Sequence, residues 1–177
     1  MLFRSRLDKL LVARPIMPLG RDIGYLPGDK DEKLAMWMQP IFDNVSYLLS
    51  TRSGGTQGDA DSKSAEQRMD QLMATGKLVM EPLTYIRGRS IPHQFMIVDE
   101  AQNLSPHEVK TIVSRVGDGT KIVLCGDIGQ IDNPYLDAAS NGLAHAIERM
   151  KGQTIAGHVT LSKTERSELA SLAAEVL

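Results

Sequence analysis

Apolar residues along this chain follow two rhythms. Short unbroken runs occur at Lys9-Leu-Leu-Val-Ala13, Leu78–Ile86, Phe95–Val98, Lys121-Ile-Val-Leu-Cys125 and His158-Val-Thr-Leu161. Each is bounded by turn-forming or charged residues, as strands buried on both faces are. Between them, apolar residues recur at helical spacing. Leu34, Met38, Ile41, Val45 and Leu48 predict a helix from Asp31 onward, kinked or divided at Pro40. Met69, Leu72 and Met73 predict a second helix, opened by a capping box at Ser64 and Gln67 and closed at Gly76. Ser105-Pro-His-Glu108 supplies an N-cap, a first-turn proline and a capping acid for a third, which Gly117 stops. Leu136, Leu143, Ile147 and Met150 mark a helix closed by Gly152, and Glu165–Leu177 a last one. Residues 50–63 hold no apolar side chain larger than alanine and are expected to form a flexible polar insertion. The strand and helix alternation predicts an α/β fold with a mainly parallel sheet covered on both faces, in one domain spanning 1–177.

Composition narrows the class. With 177 residues, 42% hydrophobic, 24% charged and a net charge of −2, the chain suits one soluble globular domain without the overall basicity of many nucleic-acid binders. Its first thirty residues nevertheless carry Arg4, Arg6, Lys9, Arg14, Arg21 and Lys30 against three acids, either a solvated face or a functional patch. The single cysteine, Cys125, allows no internal disulfide and fits a reducing, cytoplasmic setting. No apolar run reaches the ~18 residues of a membrane span.

The chemistry concentrates where two strands end. Phe95-Met-Ile-Val-Asp-Glu-Ala-Gln102 is an apolar run delivering two adjacent acids to a sheet edge, a pattern resembling a Walker B motif of the DEAQ type. The strand at 121–125 ends in Gly126-Asp-Ile-Gly-Gln130. Parallel strands bring such ends together at the carboxyl edge, where ligands of open α/β sheets bind. There Asp99 would anchor Mg²⁺ through water, Glu100 would orient or deprotonate the attacking water, and Gln130 would meet the γ-phosphate. Asp99, Gln102 and Asp127 are the candidate nucleotide contacts. A single acid at a strand end is more often a cap or turn former, and Asp127 carries that alternative too. The pair of motifs in strand–loop–helix context outweighs it.

Other candidates are less specific. Arg166, just after the last predicted strand, is placed to reach a phosphate or to pair with Glu165 or Glu168. Tyr85-Ile-Arg-Gly-Arg-Ser90 suits a phosphodiester backbone through Arg87 and Arg89, or is a turn with solvated arginines. Trp37 reads as core, and the four histidines lack zinc spacing. Cys125 lies in an apolar strand, where a thiol is ordinarily inert.

These residues resemble the PhoH-like ATPases, relatives of superfamily 1 helicases. The resemblance rests on Val98-Asp-Glu-Ala-Gln-Asn103 followed by Gly126-Asp-Ile-Gly-Gln-Ile-Asp132. It extends to Ala13-Arg-Pro15, Trp37-Met-Gln-Pro40, Tyr85–Ile91, Asn133-Pro-Tyr-Leu-Asp137 and Glu165–Ala170. It implies a RecA-like P-loop fold, hydrolysis of ATP with Mg²⁺, and homo-oligomeric rings. In the branch that carries an upstream PIN nuclease domain, which this chain resembles, it also implies unwinding of RNA or another single-stranded nucleic acid. On this resemblance Arg166 matches the arginine of motif IV that approaches the γ-phosphate, and Arg14 lies in segment Ia beside nucleic acid.

One departure is severe. The family's phosphate loop, ending Gly-Lys-Ser/Thr, should precede Leu10 by a few tens of residues, yet only nine residues stand there. The chain is therefore expected to be the C-terminal part of such an ATPase, through truncation, a misassigned start or a split gene. It is expected to lack the central strand of the sheet, with two exposed edges left in the middle, and to be inactive alone. The alternative is a non-catalytic nucleic-acid-binding or oligomerisation module built on Arg14, Arg87 and Arg89.

Overall fold

The structure, a computed structural model, describes residues 7–16, 30–51, 59–161, 167–169, 172 and 176; over 30–37, 51 and 59–64 it describes the backbone alone. Its elements run β1 (Lys9–Arg14), α1 (Lys30–Thr51), α2 (Asp59–Ala74), β2 (Leu78–Pro82), β3 (Gln94–Val98), α3 (Pro106–Val113), β4 (Lys121–Leu124) and α4 (Gly142–Met150), with 3₁₀ turns at Leu83–Ile86 and Ala101–Asn103. The strands form one parallel sheet in the order β2-β1-β3-β4. This is the α/β parallel-sheet architecture that the alternation predicts.

The sheet is sandwiched because alternate residues of each strand point to opposite faces. Val12 and Leu78 pack with Met38 and Ile41 of α1 and Met69 of α2, and Leu10, Met80 and Ile97 join them. The residues between them, Leu11, Ala13, Met96 and Val98, are equally buried, so the second face is covered as well. At about 25 cal/mol per Å² of apolar area, burial of this kind is the main favourable term holding the sheet.

Local signals explain most boundaries. Ser105 Oγ accepts from the Glu108 N–H at 3.3 Å while Glu108 Oε2 accepts from the Ser105 N–H at 2.9 Å, a complete capping box at the start of α3. After α2, Gly76 turns left-handed (φ 65). Its N–H and that of Lys77 then close on the carbonyls of Met73 and Leu72, a Schellman end.

Several expectations change. The helix from residue 30 runs unbroken through Pro40 to Thr51. Helix α2 begins at Asp59, so Ser64 lies inside it rather than capping it. Hence residues 50–51 and 59–63 of the expected polar insertion are helical, and 52–58 lie outside the described residues. Helices anchored by a packed face extend into polar flanks that carry no periodicity of their own. The strand expected over 78–86 stops at Pro82, which has no N–H to continue the ladder, and becomes a 3₁₀ turn. The sheet has no gap in its middle: β1 lies between β2 and β3, and β3 between β1 and β4, so its open edges are β2 and β4.

Contacts divide the chain into two units, Met1–Ala146 and Ile147–Leu177. In the second, α4 ends before Gly152 (φ 79), as expected, and exposed turns follow. His158–Leu161 is not a strand; among the described residues of this unit there is no other strand to pair with it, and β-propensity is realised only through pairing. The expected helix over 165–177 falls mostly outside the described residues.

Candidate functional site

Registry builds the site. Ala13 pairs with Val98, and Val98 with Leu124, so β1, β3 and β4 end side by side. The ladder continues past them: Asp99 N–H donates to Ala13 O (2.9 Å), Cys125 N–H to Val98 O (2.8 Å) and Ala101 N–H to Cys125 O (2.8 Å). Between these bonds Glu100 adopts the left-handed conformation (φ 53, ψ 37). For a residue with a Cβ this costs about 1–3 kcal/mol, a strain that proteins concentrate at functional sites. The turn lifts both carboxylates out at the carboxyl edge, each about a third exposed (37% for Asp99, 32% for Glu100).

Two adjacent acids repel unless a cation lies between them. Arg14, one residue past the Ala13–Val98 pair, is that cation. Its Nη2 donates to Glu100 Oε1 at 3.0 Å, and its Nε lies 3.9 Å from Asp99 Oδ2. Proposed from sequence as a nucleic-acid contact, Arg14 is committed here to the two carboxylates.

Gln102 ties the two strand ends together. It is fully buried, and both ends of its amide are used. Nε2 donates to Glu100 Oε2 (2.6 Å) and to Gln130 O (2.9 Å), while Oε1 accepts from the Asp127 N–H (3.2 Å). Its position is that of a brace under the site rather than of an open ligand contact. Gly126 is obligatory beside it: a Cβ there would overlap Gln102 Oε1 and lie 2.9 Å from Leu143 Cδ2.

Asp127 combines turn and site. Its Oδ1 accepts from the Gly129 N–H and its Oδ2 from Gln130 Nε2, both at 2.8 Å, which holds the exposed Gln130 amide over the loop. Asn103, not singled out from sequence though it closes the quoted motif, anchors the far end of that loop. Its Oδ1 accepts from the N–H groups of Asp132 (2.7 Å) and Asn133 (3.2 Å). Cys125 is exposed, not buried as expected. Its thiol is nonetheless pushed above the ordinary value of 9.0 by partial desolvation and then by the charge of Asp99.

The structure thus brings together Asp99, Glu100, Gln102, Asp127 and Gln130, with Arg14 among them. Arg87 and Arg89 stand apart, beyond the end of β2 and two strands from β3. Arg89 Nη1 bridges Glu81 Oε1 and Oε2 at 2.8 and 3.0 Å, whereas Arg87 is exposed and has no side-chain partner among the described residues. Arg166 lies outside the described residues. Among them no group of three or more His, Cys, Asp or Glu could hold a metal, and no helix is long and apolar enough to cross a membrane. Hydrated Mg²⁺ asks for less: one or two carboxylates, waters and phosphate oxygens. Asp99 and Glu100 fit that hard-oxygen requirement.

A parallel α/β sheet whose carboxyl edge carries paired acids and an amide-bearing loop is the layout of P-loop NTPase-like domains. Comparison with known proteins resolves the class further. The sequence model of the family described as PhoH-like protein matches residues 1–176, and the chain belongs to that family. It is 58% identical over 170 residues to Protein PhoH2 of Bacillus subtilis, covering 96% of this chain and 36% of that protein. Protein PhoH2 of Mycolicibacterium smegmatis is 39% identical over 170 residues (96% and 35%). Protein PhoH of Escherichia coli is 30% identical over 164 residues (93% and 42%). The chain therefore spans little more than a third of the length of its PhoH2 relatives.

Proposed function

We propose that these residues form the magnesium-and-water side of an ATP-hydrolysing site whose turnover drives remodelling of single-stranded RNA. The observation that carries this is the bracing of Glu100 to Gln130 through the buried amide of Gln102. It couples a carboxylate suited to a water to an amide suited to the γ-phosphate. In this reading Asp99 would hold Mg²⁺ through water, and the ion when bound would supply neutralisation of the charge that develops on the phosphate oxygens. Glu100 accepts a proton from, or orients, the attacking water. Gln130 hydrogen-bonds the γ-phosphate, and Asp127 keeps it aimed. Arg14 balances the two acids, and Arg166 is assigned to the γ-phosphate on family resemblance. No Gly-Lys-Ser/Thr loop occurs in the 177 residues, so the reading requires the remaining phosphate contacts to come from other residues. RNA as partner, a homo-oligomeric ring, an upstream PIN domain and a cytoplasmic location belong to the same proposal.

A chimaera tests it: the chain replaces the matched segment of the Bacillus subtilis relative, and ATP turnover and binding are measured with and without Glu100→Gln. Loss of general-base action should lower turnover by about 10²–10⁴-fold with ATP affinity retained. Turnover at the parental rate removes Glu100 from the mechanism.

A further inference from the structure

Beyond the end of β1 lies a cleft of about 550 Å³. Pro15 and Ile16 stand at one side, Leu83, Thr84, Ile86 and Arg87 from the turn after β2 at another. The third wall is one face of α3 and its exit, where His107, Thr111 and Arg115 recur every four residues. Over eight residues that wall runs about 12 Å, more than one phosphate repeat of a nucleic-acid strand.

The charge of the cleft is unbalanced. Its one acid, Glu108, is spent on the cap, its Oε2 accepting from both the N–H (2.9 Å) and the hydroxyl (2.8 Å) of Ser105. Against it stand two guanidiniums. Neither Arg87 nor Arg115 has a side-chain hydrogen bond or ion pair among the described residues, and Arg115 Nε is buried without any partner. A buried donor left unpaired costs about 1–3 kcal/mol, and a charged one more, so its presence calls for a partner that the described residues do not provide. The partner that two guanidiniums satisfy best is an oxyanion able to accept two parallel N–H bonds. The floor between them, Leu83, Ile86, Leu104 and Ile112, is apolar and suits the face of a sugar or base.

We propose that this cleft holds the phosphodiester backbone of a single-stranded RNA, with Arg87 and Arg115 each on a phosphate; it rests on the RNA-remodelling reading above and gives it a location. Arg14 and Arg89, both already paired with carboxylates, are not part of the site. Its position also links it to the acids. Asn103 and Asn133 line the cleft, and Asn103 fastens the loop that carries Gln130.

The test is fluorescence anisotropy of a labelled single-stranded oligoribonucleotide with the 177-residue chain across a salt series. Arg87→Glu, on an exposed residue, and Arg115→Gln, checked by circular dichroism for folding, are compared with wild type. Each lost phosphate contact should weaken binding by about tenfold or more and reduce the slope of log K against log salt by about 0.7. Arg89→Ala should change neither. Wild-type binding with an unchanged slope in Arg87→Glu overturns the site but leaves the proposed function standing. A wild-type chain that binds no RNA overturns both the site and the RNA half of that function, while the turnover test above decides the ATP half separately. Polyglutamate competing as well as RNA of equal charge would identify an acidic protein segment as the occupant and also overturn the proposal.

Discussion

The brace at Gln102 permits a worked prediction. Replacing it by leucine keeps approximate volume but deletes three hydrogen bonds: one to the Glu100 carboxylate at 2.6 Å, one to the Gln130 carbonyl and one from the Asp127 N–H. Net values of about 0.5–1.5 kcal/mol for each neutral bond and 1.5–3 for the charged one bound the loss near 6 kcal/mol. All three partners, Asp127, Gln130 and the third-exposed Glu100, recover water when released, and the leucine adds apolar burial. The expected net destabilisation is therefore about 2–3 kcal/mol, a large share of the ~5–15 kcal/mol that holds a domain folded. Gln102→Glu is the sharper probe. It keeps the acceptor for the Asp127 N–H but sets a buried carboxylate against Glu100 and a carbonyl oxygen. Burial and like charge both raise the folded-state pKa of the new group above the ~4.3 of an unfolded glutamate. Its protonated form is then favoured by the fold. The variant should approach wild-type stability below the unfolded value and lose stability as pH rises through the folded one. Urea unfolding followed by circular dichroism at pH 4.5 and pH 8 measures this. A Gln102→Leu midpoint within about 0.5 kcal/mol of wild type, or a Gln102→Glu penalty that does not grow with pH, refutes the brace.

Cys125 reports the alignment of β3 with β4. Because Asp99 helps to push the thiol above 9.0, alkylation by iodoacetamide should be slow at neutral pH and faster in Asp99→Asn; equal rates would mean the two strand ends are not in register as described. Gly142 begins α4 where an added Cβ would lie 2.5 Å from Val109 Cγ2 and 2.7 Å from Ser105 O. Gly142→Ala should accordingly cost about 1–3 kcal/mol in thermal or urea unfolding, and an unchanged midpoint would show that α4 is seated elsewhere.

What could be read from the sequence depended on how local the cause was. The acids at Asp99 and Glu100 and the loop at Gly126 follow from a buried strand meeting its polar end, a signal contained in eight or so residues. The cap at Ser105 and the stop at Gly76 are equally local. The pairing of Arg14 with Glu100 is not: it spans 86 residues and exists only because β1 and β3 register Ala13 against Val98. Nor does any periodicity announce that a buried amide, Gln102, will bridge two loops. Likewise, the extension of α2 back to Asp59 comes from packing at Ala65 and Met69, which stabilises a turn that the polar residues before it do not ask for.

The proposed nucleotide site and the proposed RNA cleft share backbone in two places, and this constrains how one would affect the other. At the end of β1, Arg14 sits on the acids while the next two residues, Pro15 and Ile16, line the cleft. At the 3₁₀ turn after β3, Gln102 braces Glu100 while the adjacent Asn103 lines the cleft and fastens Asp132 and Asn133. Coupling needs more than proximity; a ligand must bind one arrangement of these segments better than another. Arg14 supplies such a two-way element in physical terms. Its guanidinium is held by the same carboxylates that would serve Mg²⁺ and water, so a cation arriving at Asp99 weakens the hold on Arg14. Any shift of β1's end that follows carries Pro15 and Ile16 with it. An RNA that seats best against one position of those residues would then, by linkage, alter the affinity of the acids for their cation by the same factor.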